Sequence, residues 1–267
     1  MMRSEVKSPV TMTFSTPETV LTLNQGISVS VDTATALTNI SAADVPVVFV
    51  GFGANAPEQD WNDYGDIDLA DKLVIYLVND PDFAAQPDEP VAGRFGNRRM
   101  TYYGRWAYKF EEAARRGAFG ALVIHETEAA GYDWSVAAAG AGENVSLANK
   151  DPNALPVTLQ GWLHNDAASD LLAAAGHDLE ALRNEARRQD FQAFELQGIR
   201  FNADLEVDIT TFDSQNVLGL IPGSERPDEM IMASAHWDAY GIGAPDEQGR
   251  TVRAGANDDA LGSAGIL

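Results

Sequence analysis

The chain of 267 residues has no cysteine, which removes disulfides, thiol catalysis and every thiolate metal site together. It is also poor in basic residues. Lys and Arg number 18 against 40 Asp and Glu, a formal net charge of −22, and the lysines are only Lys7, Lys72, Lys109 and Lys150. A surface so acidic repels a phosphate backbone, so nucleic acid is not an expected partner. The charge also disfavours an electrostatic anchor on anionic lipid. No window approaches the ~18 apolar residues of a membrane-spanning helix. Histidine is rare too, at four residues, and without cysteine any metal must rest on His, Asp or Glu.

What is present suffices for a core. Hydrophobic residues make up 45% of the chain, and 22% charged with 9% aromatic residues is not the composition of a disordered acidic tail. At ~150 residues per domain the length allows one large or two modest domains. The runs 45–53 (VPVVFVGFG), 73–78 (LVIYLV) and 118–124 (AFGALVI) are short and nearly continuously apolar, as in strands covered on both faces. Between the last two, 103–116 (YGRWAYKFEEAARR) places apolar residues at helical spacing, with Gly117 as its stop. This is a βαβ-like order. Residues 126–155 read as irregular, 156–159 as a short strand, and 166–175 and 179–188 as helices. Strict alternation over 203–210 marks a half-buried strand, and 216–221 and 230–235 read as two more. No apolar segment of signal-peptide type follows the basic residues of MMRSEVKSPVTMTFS, and the C-terminus looks cut, because the last eight residues read as a helix of about two turns with nothing to pack on.

Three histidines, His125, His164 and His177, sit at a strand end or at helix starts and read as structural. His236 differs, because it closes an apolar strand in Ser234-Ala-His-Trp-Asp238, and the carboxyl ends of strands are where open α/β sheets gather ligands. In extended chain His236 and Asp238 share a side, so Asp238 can orient the imidazole or join it on a metal. A hydrogen-bonded histidine at a strand end explains the pair equally well. About twenty residues on, Ala254-Gly-Ala-Asn-Asp-Asp-Ala-Leu-Gly262 puts three polar acceptors at a helix start. Asn257 or Asp258 as helix cap is the plain reading; the glycines around them also permit the close backbone approach of a carboxylate shared by two cations.

The blocks MIMASAHWDAYG (230–241) and AGANDDALGSAG (254–265) together resemble the co-catalytic zinc exopeptidases of family M28, which include aminopeptidases and glutamate-carboxypeptidase-like enzymes. By that resemblance His236 binds one of two Zn²⁺, Asp258 bridges both, and Asp238 holds the His236 ring. Leu261 stands where the family has a smaller residue, and its side chain could crowd the helix start. The segments 49–81 and 102–127 resemble the protease-associated (PA) domain inserted in many members, where Arg105 falls in a stretch that faces substrate in some carboxypeptidase-type relatives. The implied fold is mixed α/β and α+β. Its parts are lead-in strands (1–44), a β-rich PA domain with flanking helices (45–200), and the first strands and helix start of an α/β zinc-exopeptidase domain (201–267).

The implied activity is hydrolysis of peptides or small acyl amides through a metal-bound hydroxide. The family's Glu-Glu pair and its further Asp and His ligands follow the bridging Asp, yet no Glu occurs after Glu247. The expectation is therefore a fragment, inactive alone, of a longer enzyme that the resemblance suggests is exported, with homodimerisation left open. The alternative is a non-catalytic PA-type module that binds a peptide or protein and carries a vestigial peptidase segment.

Overall fold

The three apolar runs of the first 125 residues become adjacent parallel strands in the computed structural model, which describes residues 1–7, 9–148, 156–239, 241–242, 249–252 and 254–267. In chain order the strands are β1 (Met2–Val6), β2 (Thr11–Ser15), β3 (Val20–Leu23), β4 (Val29–Asp32), β5 (Asn39–Phe49), the small pair β6 (Asn55–Ala56) and β7 (Trp61–Asn62), β8 (Leu73–Leu77), β9 (Gly120–His125), β10 (Glu143–Ser146), β11 (Leu159–His164) and β12 (Phe194–Thr211). The helices are α1 (Trp106–Arg115), α2 (Thr127–Ala130), α3 (Trp134–Ala139), α4 (Asn165–Ala174), α5 (Leu179–Ala186) and α6 (Leu261–Ile266). The chain divides into two units, Met1–Asp213 and Ser214–Leu267. No helix is long and apolar enough to cross a membrane.

In the first unit the main sheet runs β10-β1-β12-β5-β8-β9-β11-β4, with β2 beside β12 and β3 beyond β2. β5, β8, β9 and β11 are parallel; β1, β2, β3, β4, β10 and β12 join antiparallel. The near-continuous apolar runs have a direct cause. Val47, Phe49, Leu73, Ile75, Leu122 and Ile124 point to one face, where they meet Leu171, Leu172 and Leu182 of α4 and α5. Their alternates Val48, Val74, Tyr76, Ala121 and Val123 point to the other, under Phe110 and Ala113 of α1. Period two puts neighbours on opposite faces, so both faces must be apolar when both are covered. Each such side chain contributes ~1.5–3 kcal/mol by leaving water.

Local signals set the helix limits. Gly117 follows α1 at φ +71°, a left-handed conformation that suits glycine. Asp178 Oδ1 accepts from Ala181 N at 2.8 Å to cap α5, and His164 Nδ1 accepts from Asp166 N at 3.2 Å at the start of α4.

A polar interior, unmarked in the sequence reading, orders the segment after β8. Lys109 of α1 is 0% exposed and donates from Nζ to the carbonyls of Phe52, Asn79 and Tyr103 at 2.6, 3.2 and 3.2 Å. Burial pushes its pKa down to about 8, against the opposing attraction of Asp80 and Asp63. Asp63 accepts from Ala54 N (2.8 Å) and Trp61 Nε1 (2.7 Å), yet burial lifts its carboxyl to about 7. Asp80 holds Thr101 through N and Oγ1, at 2.6 and 2.7 Å. Asp82 Oδ2 gathers the N–H groups of Phe95, Gly96 and Asn97 at 2.9–3.1 Å. The loop is thus folded onto carboxylates rather than onto a helix or strand.

Several expectations need correction. The strand expected at 156–159 begins at Leu159 and runs to His164. The irregular stretch 126–155 contains α2, α3 and β10, while its residues 149–155 lie outside the described set. Most plainly, 216–221 and 230–235 are not strands. A strand exists only where a neighbour takes up its N–H and C=O groups, and none of the described residues pairs with these runs. Val217, Leu218, Ile221, Met230 and Ile231 are all exposed, Ile231 completely.

Candidate functional site

The second unit brings the two polar blocks together. His236 Nε2 lies 2.9 Å from Asp258 Oδ1, and His236 Nδ1 lies 2.8 Å from Asp238 Oδ1. The imidazole is thus held between two carboxylates, one two residues away and the other 22. The Asp238 hydrogen bond, and after it that of Asp258, raises the His236 pKa above its ordinary value, with desolvation opposing.

The residue that joins the blocks is Asp259. Its Oδ2 accepts from the backbone N–H of His236 at 3.2 Å and its Oδ1 from that of Gly262 at 3.1 Å. Ser263 Oγ adds a bond to the His236 carbonyl at 2.9 Å. The carboxylate bonded at the start of α6 is therefore Asp259, where Asn257 or Asp258 was expected. Asp258 consequently faces the histidine. The Asp258–Asp259 peptide is cis.

The two glycines have the close-approach role anticipated for them. A Cβ at Gly255 would collide with the Asp258 carbonyl, and one at Gly262 with the Asp259 carboxylate. Leu261 does not crowd the helix start, because it is 68% exposed.

The donors suit zinc in kind: an imidazole nitrogen with its other nitrogen on a carboxylate, and a carboxylate oxygen. In a tetrahedral site with bonds of ~2.0–2.1 Å two donors stand roughly 3.4 Å apart; Nε2 and Oδ1 at 2.9 Å are near that spacing and meet each other instead. Among the described residues no group of three His, Asp or Glu is arranged to hold a metal ion. The pair fits part of a zinc set, not a whole one.

Arg105 belongs to the first unit. It stands in extended conformation immediately before α1, makes no side-chain capping bond, and lines a cavity of about 150 Å³ with Trp106, Tyr132 and Trp162. Of the other histidines, His125 is buried at the end of β9 with its ring among those of Tyr132, Trp134 and Trp162, and burial lowers its pKa. The structural reading of His125 and His164 holds: the first packs, the second caps.

Asp259 and Lys109 escaped the sequence reading for different reasons. Asp259 was one of three adjacent acceptors, with no periodicity to separate them. Lys109 did leave a signal: it falls at i+3 in the stripe Trp106, Phe110, Ala113, where a helix that buries this face must bury its lysine too.

Comparison with known proteins adds sequence support to the second unit. Residues 216–267 match the family model described as Peptidase family M28. No curated protein matches the chain. Among solved structures, the aminopeptidase from Aneurinibacillus sp. strain AM-1 is similar at 15% identity and a TM-score of 0.36 over 79% of this chain. The match covers 34% of that enzyme, so the chain spans about a third of its length.

Proposed function

We propose, from the match of residues 216–267 to the model of peptidase family M28, that the chain is part of a two-zinc exopeptidase acting on peptides or small acyl amides. The observation that carries this reading is the meeting of His236 Nε2 and Asp258 Oδ1, 22 residues apart, at 2.9 Å. His236 would hold one zinc through Nε2 and Asp258 would bridge two. Zinc bound there would acidify water and polarise the substrate carbonyl.

The chain's own residues have separate tasks. With zinc on Nε2, Asp238 would accept from Nδ1 and so fix the tautomer that zinc needs. Asp259 ties the His236 backbone to the start of α6, so that both halves of the site move as one piece. Residues 45–200 would form the PA insertion, with Arg105, which lines a cavity there, as a substrate contact. Two donors do not complete a zinc site, so the 267 residues alone would be inactive, and the proton-transferring base lies outside the set named here.

The test is hydrolysis of aminoacyl-anilide and N-acyl-glutamate substrates by the polypeptide extended through the sequence its gene encodes after Leu267. Turnover that a chelator abolishes and Asp258→Asn removes is the expected result. Turnover indifferent to chelator, or retained in full by Asp258→Asn, overturns the zinc assignment. A stop codon directly after Leu267 would favour the binding module, a reading supported by the self-contained core of the first unit.

A further inference from the structure

The first unit contains a cavity of about 560 Å³ that the peptidase reading does not use. It opens between the 89–94 loop and the residues after α5, and its lining includes Trp61, Val91, Arg94, Asn184, Arg187 and Arg188. The size is that of a small-ligand pocket, for which ~300–1,000 Å³ is usual.

The floor is apolar and fixed. Trp61 and Val91 pack with Phe95 in a cluster of their own, and the Trp61 indole donates to buried Asp63. The Arg94 guanidinium lies 5.2 Å from the Trp61 ring centre. It donates to Gln189 Oε1 at 3.0 Å and to the Gln59 carbonyl. Arg187 donates to Glu89 Oε1 at 3.0 Å, so two cross-links hold the walls at a set separation.

The charge balance identifies the ligand. Three guanidiniums converge here in a chain of net charge −22. Glu89 and Asp190 also line the cavity, and Asp190 already engages Arg188 through two bonds of 2.9 and 2.8 Å. Three positive and two negative side chains leave one positive charge, which matches a monoanion. Guanidinium forks suit carboxylate geometry, and the Trp61–Val91 floor suits an apolar substituent.

We propose that this cavity binds a small monocarboxylate with an apolar side chain, of the size of an amino acid or its N-acyl derivative. The carboxylate sits on Arg94 and Arg187, and the apolar part lies against Trp61 and Val91.

The experiment is calorimetric titration of the 267-residue chain, without metal, with 4-methylpentanoate, N-acetylleucine and the neutral N-acetylleucinamide at one ionic strength. At least one of the two carboxylates should saturate the protein while N-acetylleucinamide does not. Arg94→Met and Arg187→Met should each weaken that binding by at least about tenfold. Because both arginines also tie the walls, Asn184→Phe provides a second variant. Asn184 is exposed, so the substitution fills the cavity and leaves the cross-links intact; it should abolish binding with an unchanged thermal midpoint. N-acetylleucinamide binding as tightly as the carboxylates, no saturation by either carboxylate below about 10 mM, or full affinity in Asn184→Phe would each overturn the proposal. None of these readings depends on peptidase activity.

Discussion

The two units of this chain contain similar apolar runs and treat them in opposite ways. LVIYLV at 73–78 lies inside the first unit, with parallel neighbours on both sides and helices above and below. MIMASA at 230–235 is also apolar but for Ser234, yet Met230, Ile231 and Met232 are exposed. Composition alone does not make the difference. A strand is stabilised by partners and cover, and only the first unit supplies them among the described residues. The second unit instead spends its few contacts on one polar junction, the His236 ring between Asp238 and Asp258 with Asp259 tying the backbone.

Hydrogen exchange should widen this contrast the most. Amides of β8 and β9 are expected to exchange about ten-thousand-fold or more slower than those of 216–221 and 230–235 in the 267-residue chain; similar rates in both would mean the apolar runs of the second unit are paired in solution. The polar interior of the first unit gives the next largest effect. Lys109→Met strands three carbonyls and leaves Asp63 and Asp80 without their cation, so denaturant unfolding should show a loss of about 3–5 kcal/mol.

The same residue fixes a pH window. Its pKa of about 8 lies below the ordinary 10.5, so between these values the unfolded chain holds a proton that the folded one has released. Stability contributed at this site therefore rises with pH from about 8 to 10.5, by up to about 3 kcal/mol, and is flat in Lys109→Met. Unfolding midpoints of both proteins across that range check the sign. On the proposed two-zinc reading, Asp238→Asn in the second unit should weaken zinc binding by about 10–100-fold, through a mis-set imidazole rather than a lost ligand. Zinc titration of the extended polypeptide measures it, and an unchanged affinity would remove Asp238 from the site.

Much of the first unit was legible in the sequence because its elements obey short-range periods. β5, β8 and β9 were visible as apolar runs and α1 as an i, i+3, i+4 stripe, and the structure extends or trims their ends by a few residues. β10, α2 and α3 were not, since they are short and dominated by alanine and polar residues. In the candidate site, His236 with Asp238 was readable from a two-residue spacing. Which of Asn257, Asp258 and Asp259 meets the histidine was not, because three adjacent acceptors differ only in the direction the backbone gives them.

Residue inventory and local pattern were enough to exclude thiolate chemistry, to limit metal ligands to oxygen and imidazole, and to mark the helices and strands with strong periods. Those properties depend on side-chain chemistry and on neighbours within four positions. The assignment of Asp259 to the backbone and Asp258 to His236, the burial of Lys109 among three carbonyls, and the convergence of Arg94 and Arg187 on one cavity all required the chain to return on itself. Contacts between residues separated by 22, 57 or 95 positions are set by packing of the whole unit, and no local pattern encodes them.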